Sequence, residues 1–157
     1  MLNVAGYISN SLSNGPGMRF VLFLQGCNFM CEGCHNQHSW DTKPNKLMSI
    51  EEVFNLIINE CPIINGVTFS GGEPTLQSEE LIELCKRIKE GTTLDIMLYT
   101  GNELEDMYTD KHRKLLLEEI DYIVTGKYEK NNIENKHIYA GSANQKFIII
   151  KELLNKV

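Results

Sequence analysis

Three cysteines, Cys27, Cys31 and Cys34, fall within eight residues in the spacing C-x3-C-x2-C. Spacings this short let three thiolates from one loop converge on a single metal centre, and thiolates are the usual ligands of iron–sulfur clusters. A four-iron cluster with only three protein thiolates leaves one iron open, much as a catalytic zinc keeps a free position. The same loop also admits a zinc site with His35 or His38 as fourth ligand, although structural zinc sites usually add a second cysteine pair at a distance. Spacing alone leaves both open. A second candidate is Ser70-Gly71-Gly72-Glu73-Pro74. Its glycines would let a ligand approach the backbone and leave N–H groups free for a carboxylate or phosphate. Glu73 adds an acceptor suited to an ammonium group. Taken by itself, the segment reads more readily as a βα turn with a surface glutamate.

Both candidates follow strands. Arg19–Leu24 is short and almost continuously apolar, as expected of a strand buried on both faces, and the cysteine loop begins just beyond it. Val67-Thr68-Phe69 is a second strand, closed by Gly71 and Gly72. Residues 1–17 read as irregular, and 37–46 as a connection. Ser49-Ile50-Glu51-Glu52 is a capping box for a helix to about Cys61, with Val53, Phe54, Ile57 and Ile58 on its apolar face and Pro62 as its stop. Ser78 opens another helix, with Leu81, Ile82, Cys85 and Ile88 on one face. Leu94–Tyr99, Tyr122–Val124 and Lys146–Ile150 read as strands, about 109–119 as a helix, and 127–144 as loop. Cys61 and Cys85 fall on apolar helix faces, where a thiol acts as a small hydrophobe. This alternation implies an α/β fold with a mainly parallel sheet. A complete eight-stranded barrel takes ~250 residues, so 157 residues suggest one domain built as a partial, open β/α barrel; a doubly wound sheet is the alternative.

The balance of 15 basic against 21 acidic residues, net −6, disfavours a nucleic-acid binder. No apolar run is long enough to span a membrane. Met1 to Gly17 lacks the order of a signal peptide, and five cysteines, an odd and clustered set, do not suit a secreted disulfide framework. A cytoplasmic address is expected.

Taken together, the cysteine loop and the glycine motif resemble the radical S-adenosylmethionine enzymes. Gly15-Pro16-Gly17-Met18-Arg19 and Gly33-Cys34-His35-Asn36 narrow the resemblance to activases of glycyl radical enzymes. Within these the chain is most similar, almost end to end, to the anaerobic (class III) ribonucleotide reductase activating proteins. Tyr99-Thr100-Gly101, Asp121–Lys127 and Gly141–Gln145 are late matches. The resemblance implies that Cys27, Cys31 and Cys34 hold a [4Fe–4S] cluster whose open iron is chelated by S-adenosylmethionine. Gly33, Cys34 and His35 would lie against that cofactor, and Gly71, Gly72 and Glu73 would receive its amino group. Thr100 and Asn102 are candidate ribose contacts. No catalytic side chain is implied beyond the cluster ligands. An external one-electron donor of the flavodoxin type would reduce the cluster. The resulting 5′-deoxyadenosyl radical would take a hydrogen from a glycine of anaerobic ribonucleoside-triphosphate reductase. Rival readings are an activase for another glycyl radical enzyme and a non-catalytic zinc-binding module. Two positions depart from the family pattern: Gly33, where an aromatic residue is common, and Ala140, where arginine is usual.

Overall fold

The computed structural model describes residues 1–155, and strands alternate with helices along most of them. The strands are β1 (Leu2–Ser11), β2 (Arg19–Leu24), β3 (Lys46–Met48), β4 (Gly66–Gly71), β5 (Asp95–Tyr99), β6 (Tyr122–Thr125) and β7 (Lys146–Ile149). The helices are α1 (Ile50–Glu60), α2 (Ser78–Gly91), α3 (Leu104–Met107), α4 (Lys111–Glu119) and α5 (Ile150–Leu154). One sheet of seven strands runs in the order β3-β1-β2-β4-β5-β6-β7. Its four central strands, β2, β4, β5 and β6, are parallel neighbours. The flanking strands β1, β3 and β7 are antiparallel to their neighbours. No helix among the described residues is long and apolar enough to cross a membrane.

Two faces of the sheet have different fates. Phe20, Leu22, Leu24, Val67, Phe69, Ile96, Leu98 and Ile123 pack with Val53, Ile57, Leu81, Leu84, Cys85, Ile88, Leu116 and Leu117 in one core. Each such side chain, fully buried, contributes about 1.5–3 kcal/mol. The other face carries only a small cluster, Met97, Val124 and Ala140 with neighbouring aromatic rings. With the main core on one face alone, the sheet is a partial barrel and not a doubly wound sandwich. Its concave face is left for ligands.

Most expected elements occur. α1 starts at Ser49 with both arms of the capping box in place: Glu52 N donates to Ser49 Oγ at 3.0 Å, and Ser49 N donates to Glu52 Oε2 at 2.6 Å. The main correction is at the N-terminus, where the expected irregular stretch contains the ten-residue β1. Gly6, Ser9, Asn10 and Ser11 are poor strand formers. Pairing with β2 and β3 holds them extended, with register shifts between Val4 and Gly6 and between Ile8 and Ser11. β3, α3 and α5 were not foreseen either: β3 is a three-residue strand held by pairing with β1, α3 is a single turn started by Glu103 and Asp106, and α5 begins at Ile150, where the last strand was expected to end.

The floor of the concave face is built by the Gly15-Pro16-Gly17-Met18-Arg19 turn. Arg19 is fully buried; its Nε donates to Thr68 Oγ1 at 2.7 Å, Nη1 to Pro16 O at 2.8 Å and Nη2 to Val67 O at 3.0 Å. Nη2 also lies 2.6 Å from Asp95 Oδ1. No aligned N–H points at that oxygen, so charge carries the contact. A Cβ on Gly66 would collide with both Arg19 and Asp95, and one on Gly15 with the Met97 sulfur. That is why these positions are bare.

Candidate metal and cofactor site

The loop Cys27–Cys34 leaves the C-terminal end of β2, and the 71–73 motif leaves that of β4. Ligand sites of α/β sheets lie at these strand ends. The two are joined through backbone: Gly72 N donates to Leu24 O at 2.9 Å, Glu73 N to Gly26 O at 2.7 Å, and Gly26 N to Ser39 O at 2.6 Å. Gly71 has φ +102°, and a Cβ on it would overlap the Leu24 backbone; one on Gly72 would overlap Gly26 O. The glycines are therefore needed for close backbone packing. The N–H groups of Gly72 and Glu73 are spent on this junction and are not free for a carboxylate or phosphate, which corrects the expectation from sequence.

A cleft of about 140 Å³ opens at this junction, lined by Cys27, Cys31, Cys34, Gly71, Gly72 and Glu73. Tyr99, Gly101 and Gln145, from the late-matching segments, add walls, and so do Phe29, Trp40 and Tyr128, which the sequence did not point out. These last three lie in separate segments, and no local pattern marks them. Gly101 lacks the Cβ that would strike the Phe29 ring, so the cysteine loop can fold down on it. Gly33 and His35 stand outside this cleft. A Cβ on Gly33 (φ +77°) would meet the Lys130 side chain, and the His35 ring sits 5.3 Å from that of Tyr128. Ala140 is buried with Met97 and Val124.

Every cysteine is unpaired. Cys27 is buried and its thiol is pushed up by that burial. Cys34 Sγ accepts from Asn36 N at 3.4 Å. Among the described residues, no three His, Cys, Asp or Glu side chains already converge as a metal site. Three close thiolates would repel one another; a bound cation compensates them and deprotonates coordinating thiols. The donors are of the right kind, on one cleft and free of disulfides, and in that sense they fit an iron–sulfur cluster.

Glu73 is the other notable group. It is 2% exposed. Its Oε1 accepts from Thr75 N (3.1 Å), Thr75 Oγ1 (2.7 Å) and Thr100 Oγ1 (2.8 Å), and Oε2 accepts from Gly101 N at 2.7 Å. No ion pair reaches it among the described residues. Burial pushes its carboxyl up, while these hydrogen bonds pull the other way. A buried carboxylate with neutral donors and no counter-charge, on a cleft wall, suits an incoming ammonium. Thr100 and Asn102 are buried, and the Asn102 amide donates to Thr100 Oγ1 at 2.9 Å and Thr75 Oγ1 at 3.0 Å. Both belong to the Glu73 network, and Thr100 also lines the cleft, which Asn102 does not.

An α/β sheet with three free thiols and an uncompensated carboxylate at its strand ends suits an iron–sulfur domain protein, and the family comparison shows that class. Residues 13–148 match the family described as a 4Fe-4S single cluster domain. The anaerobic ribonucleoside-triphosphate reductase-activating protein of Enterobacteria phage T4 is 36% identical over 85% of each chain. That of Haemophilus influenzae is 33% identical over 92% of this chain and 96% of its own. The pyruvate formate-lyase-activating enzyme of Clostridium pasteurianum is 37% identical over 73% of this chain but only 50% of its own. The chain belongs to the family of anaerobic ribonucleoside-triphosphate reductase-activating proteins, radical S-adenosylmethionine enzymes whose cofactors are a [4Fe–4S] cluster and S-adenosylmethionine.

Proposed function

We propose that this chain generates a glycyl radical on anaerobic ribonucleoside-triphosphate reductase, the enzyme for which its phage T4 and Haemophilus influenzae relatives are named. When bound, the cluster and S-adenosylmethionine supply one-electron cleavage of the sulfonium and abstraction of a glycine hydrogen. The observation that carries this reading is the pairing of three free thiols with an uncompensated Glu73 on one cleft. In it, Cys27, Cys31 and Cys34 ligate the cluster, and Glu73 receives the cofactor's ammonium. Gly71 and Gly72 hold that carboxylate against the root of the cysteine loop. Cys34 lines the cofactor cleft, while Gly33 and His35 support it from behind through Lys130 and Tyr128. Phe29, Trp40 and Tyr128 exclude water from the reacting atoms. No side chain acts as a general acid or base. A one-electron donor of the flavodoxin type supplies the electron. The reading treats the chain as one domain in the cytoplasm, where five free thiols stay reduced.

The test is anaerobic reconstitution followed by metal analysis and electron paramagnetic resonance. Iron and acid-labile sulfide should load together. A glycyl doublet should appear on the reductase only with both reductant and S-adenosylmethionine. Cys31→Ala should lose the cluster absorbance and drop cleavage below detection. Stoichiometric zinc without iron would overturn the cluster assignment. An intact, reducible cluster that gives no doublet would overturn the partner, and a doublet on pyruvate formate-lyase instead would reassign it.

A further inference from the structure

The segment Gly141-Ser142-Ala143-Asn144-Gln145 carries no thiol, carboxylate or imidazole, yet its polar side chains are fully engaged. Gln145 Oε1 accepts from Gly141 N at 2.8 Å and from Ser142 N at 3.0 Å, which folds the segment on itself. Gln145 Nε2 donates to Gly126 O at 2.9 Å, and Asn144 Nδ2 to Lys127 O at 2.7 Å. The buried Ser142 hydroxyl accepts from Glu129 N at 3.1 Å and donates to Asn144 Oδ1 at 2.6 Å. Ala143 N donates to Asn132 O at 2.6 Å. The arc 126–132 has neither strand nor helix to pair its backbone groups. Backbone polar groups need partners, and this one segment supplies them at Gly126, Lys127, Glu129 and Asn132.

The side chains of that arc reach the cysteine loop. Lys127 Nζ lies 5.2 Å from the Phe29 ring centroid, and the Tyr128 ring 5.3 Å from that of His35. Lys130 Nζ pairs with Glu32 Oε1 at 2.5 Å, and its stem is so near Gly33 that a Cβ there would come within 2.9 Å of it. These contacts bracket Cys31 and Cys34. Little else holds the loop: from 28 to 35, the one backbone-to-backbone hydrogen bond among the described residues is Cys34 N to Cys31 O at 3.1 Å. An exposed ion pair contributes little by itself, and the Lys130 and Glu32 side chains are 43% and 82% exposed. The larger share therefore falls to the anchored arc and its Tyr128 ring.

We infer that the 141–145 segment is a latch, and that the 126–132 arc is a clasp it closes over the cysteine loop, keeping Cys31 and Cys34 in place for the cluster. Ser142 and Asn144 are positioning residues: they do not line the cleft, and they act through Tyr128 and Lys130. A loop already held near its bound arrangement loses less freedom when its ligand enters, so the latch favours cluster retention. This rests on the proposed function only in taking these cysteines as cluster ligands.

The experiment is anaerobic chelator competition on the cluster-loaded chain, following iron release, with alkylation of the cluster-free chain read cysteine by cysteine. Asn144→Ala should speed iron release about five- to tenfold, the worth of one or two neutral hydrogen bonds. Alkylation of Cys31 and Cys34 should rise several-fold relative to Cys61, a partly exposed thiol outside the loop. Lys130→Glu should speed release about two- to threefold, and adding Glu32→Lys should restore the wild-type rate. A latch that served only the fold would shift the urea midpoint and leave both release and the alkylation ratio unchanged. That result overturns the clasp, as does an equal rise at Cys61 or a charge swap that restores nothing. Lys130 is exposed, so its variants still decide the matter if Asn144→Ala does not fold. A wild-type chain that takes up no iron sinks the proposed function, whereas a loaded chain with indifferent variants sinks only the clasp.

Discussion

Two buried charges sit at opposite ends of the concave face, and they are treated in opposite ways. At the floor, Arg19 has a counter-charge in Asp95 and hydrogen bonds to Thr68, Pro16 and Val67. At the roof, Glu73 has hydrogen bonds but no cation among the described residues. Burying an ion costs several kcal/mol, which only a well-placed partner offsets. The floor holds its partner permanently, so its charge serves the fold. The roof lacks one, so its cost falls only when a cation enters. The contrast separates a structural site from a binding site without reference to any relative.

The floor should show the largest stability effect. Arg19→Met leaves Asp95 without its counter-charge and three acceptors without their donor. The expected loss is about 3 kcal/mol, the lower end for a broken buried pair because the Asp95 side chain is 31% exposed. Urea denaturation of the apoprotein measures it. The folded fraction should still load the cluster. A loss below about 1 kcal/mol, a surface-pair value, would mean that the floor is not held by its ion pair.

Glu73→Gln tests the other half. Stability should change in shape more than in size. Burial raises the Glu73 carboxyl in the folded chain. The folded state therefore holds its proton more tightly than the unfolded state, and wild-type stability falls as pH climbs from the ordinary carboxylate range through the raised value. Glutamine has no such proton. The variant should gain on wild type with rising pH, by at most about 1.4 kcal/mol per unit, and the gap should be flat well below that range. Affinity for S-adenosylmethionine should drop by about 1.5–3 kcal/mol, roughly 10- to 100-fold, the range for a hydrogen bond to a charged group. Parallel stability curves with unchanged affinity would make the roof a second floor.

How far each end was legible follows from what it is made of. The cysteine spacing and the glycine–glutamate motif are local, so the loop and its strand could be read directly. Ser49 and Glu52 announced α1 for the same reason. Arg19 gave no such sign; its partners Thr68 and Asp95 are 49 and 76 residues away in sequence, by subtraction of their numbers. β1 was hidden because its polar residues are extended by pairing rather than propensity. The glycine motif was found for a reason that was only half right. Positive φ and backbone overlap at Gly71 and Gly72 require glycine, yet the N–H groups serve the junction with Leu24 and Gly26. Trp40 and Tyr128 were missed because only folding brings them to the cleft.

The smallest effect is expected at Thr100, and it decides what the roof network is for. Its hydroxyl donates to Glu73 Oε1 at 2.8 Å and accepts from Asn102 N at 3.1 Å and from Asn102 Nδ2 at 2.9 Å. Thr100→Val keeps the shape, takes one donor from a carboxylate that still has Thr75 and Gly101, and leaves Asn102 N and Nδ2 without this acceptor. The expected cost is about 1–2 kcal/mol in stability and a few-fold in cofactor affinity. A positioning residue acts through Glu73, so combining Thr100→Val with Glu73→Gln should cost no more affinity than Glu73→Gln alone. A residue that touches the ribose itself would add its loss independently, because separate contacts add and coupled ones do not. Calorimetric titration of the two single variants and the double variant with S-adenosylmethionine therefore separates them. Additive losses would return Thr100 to the ribose, and the roof would then bind its ligand at two points rather than through one uncompensated charge.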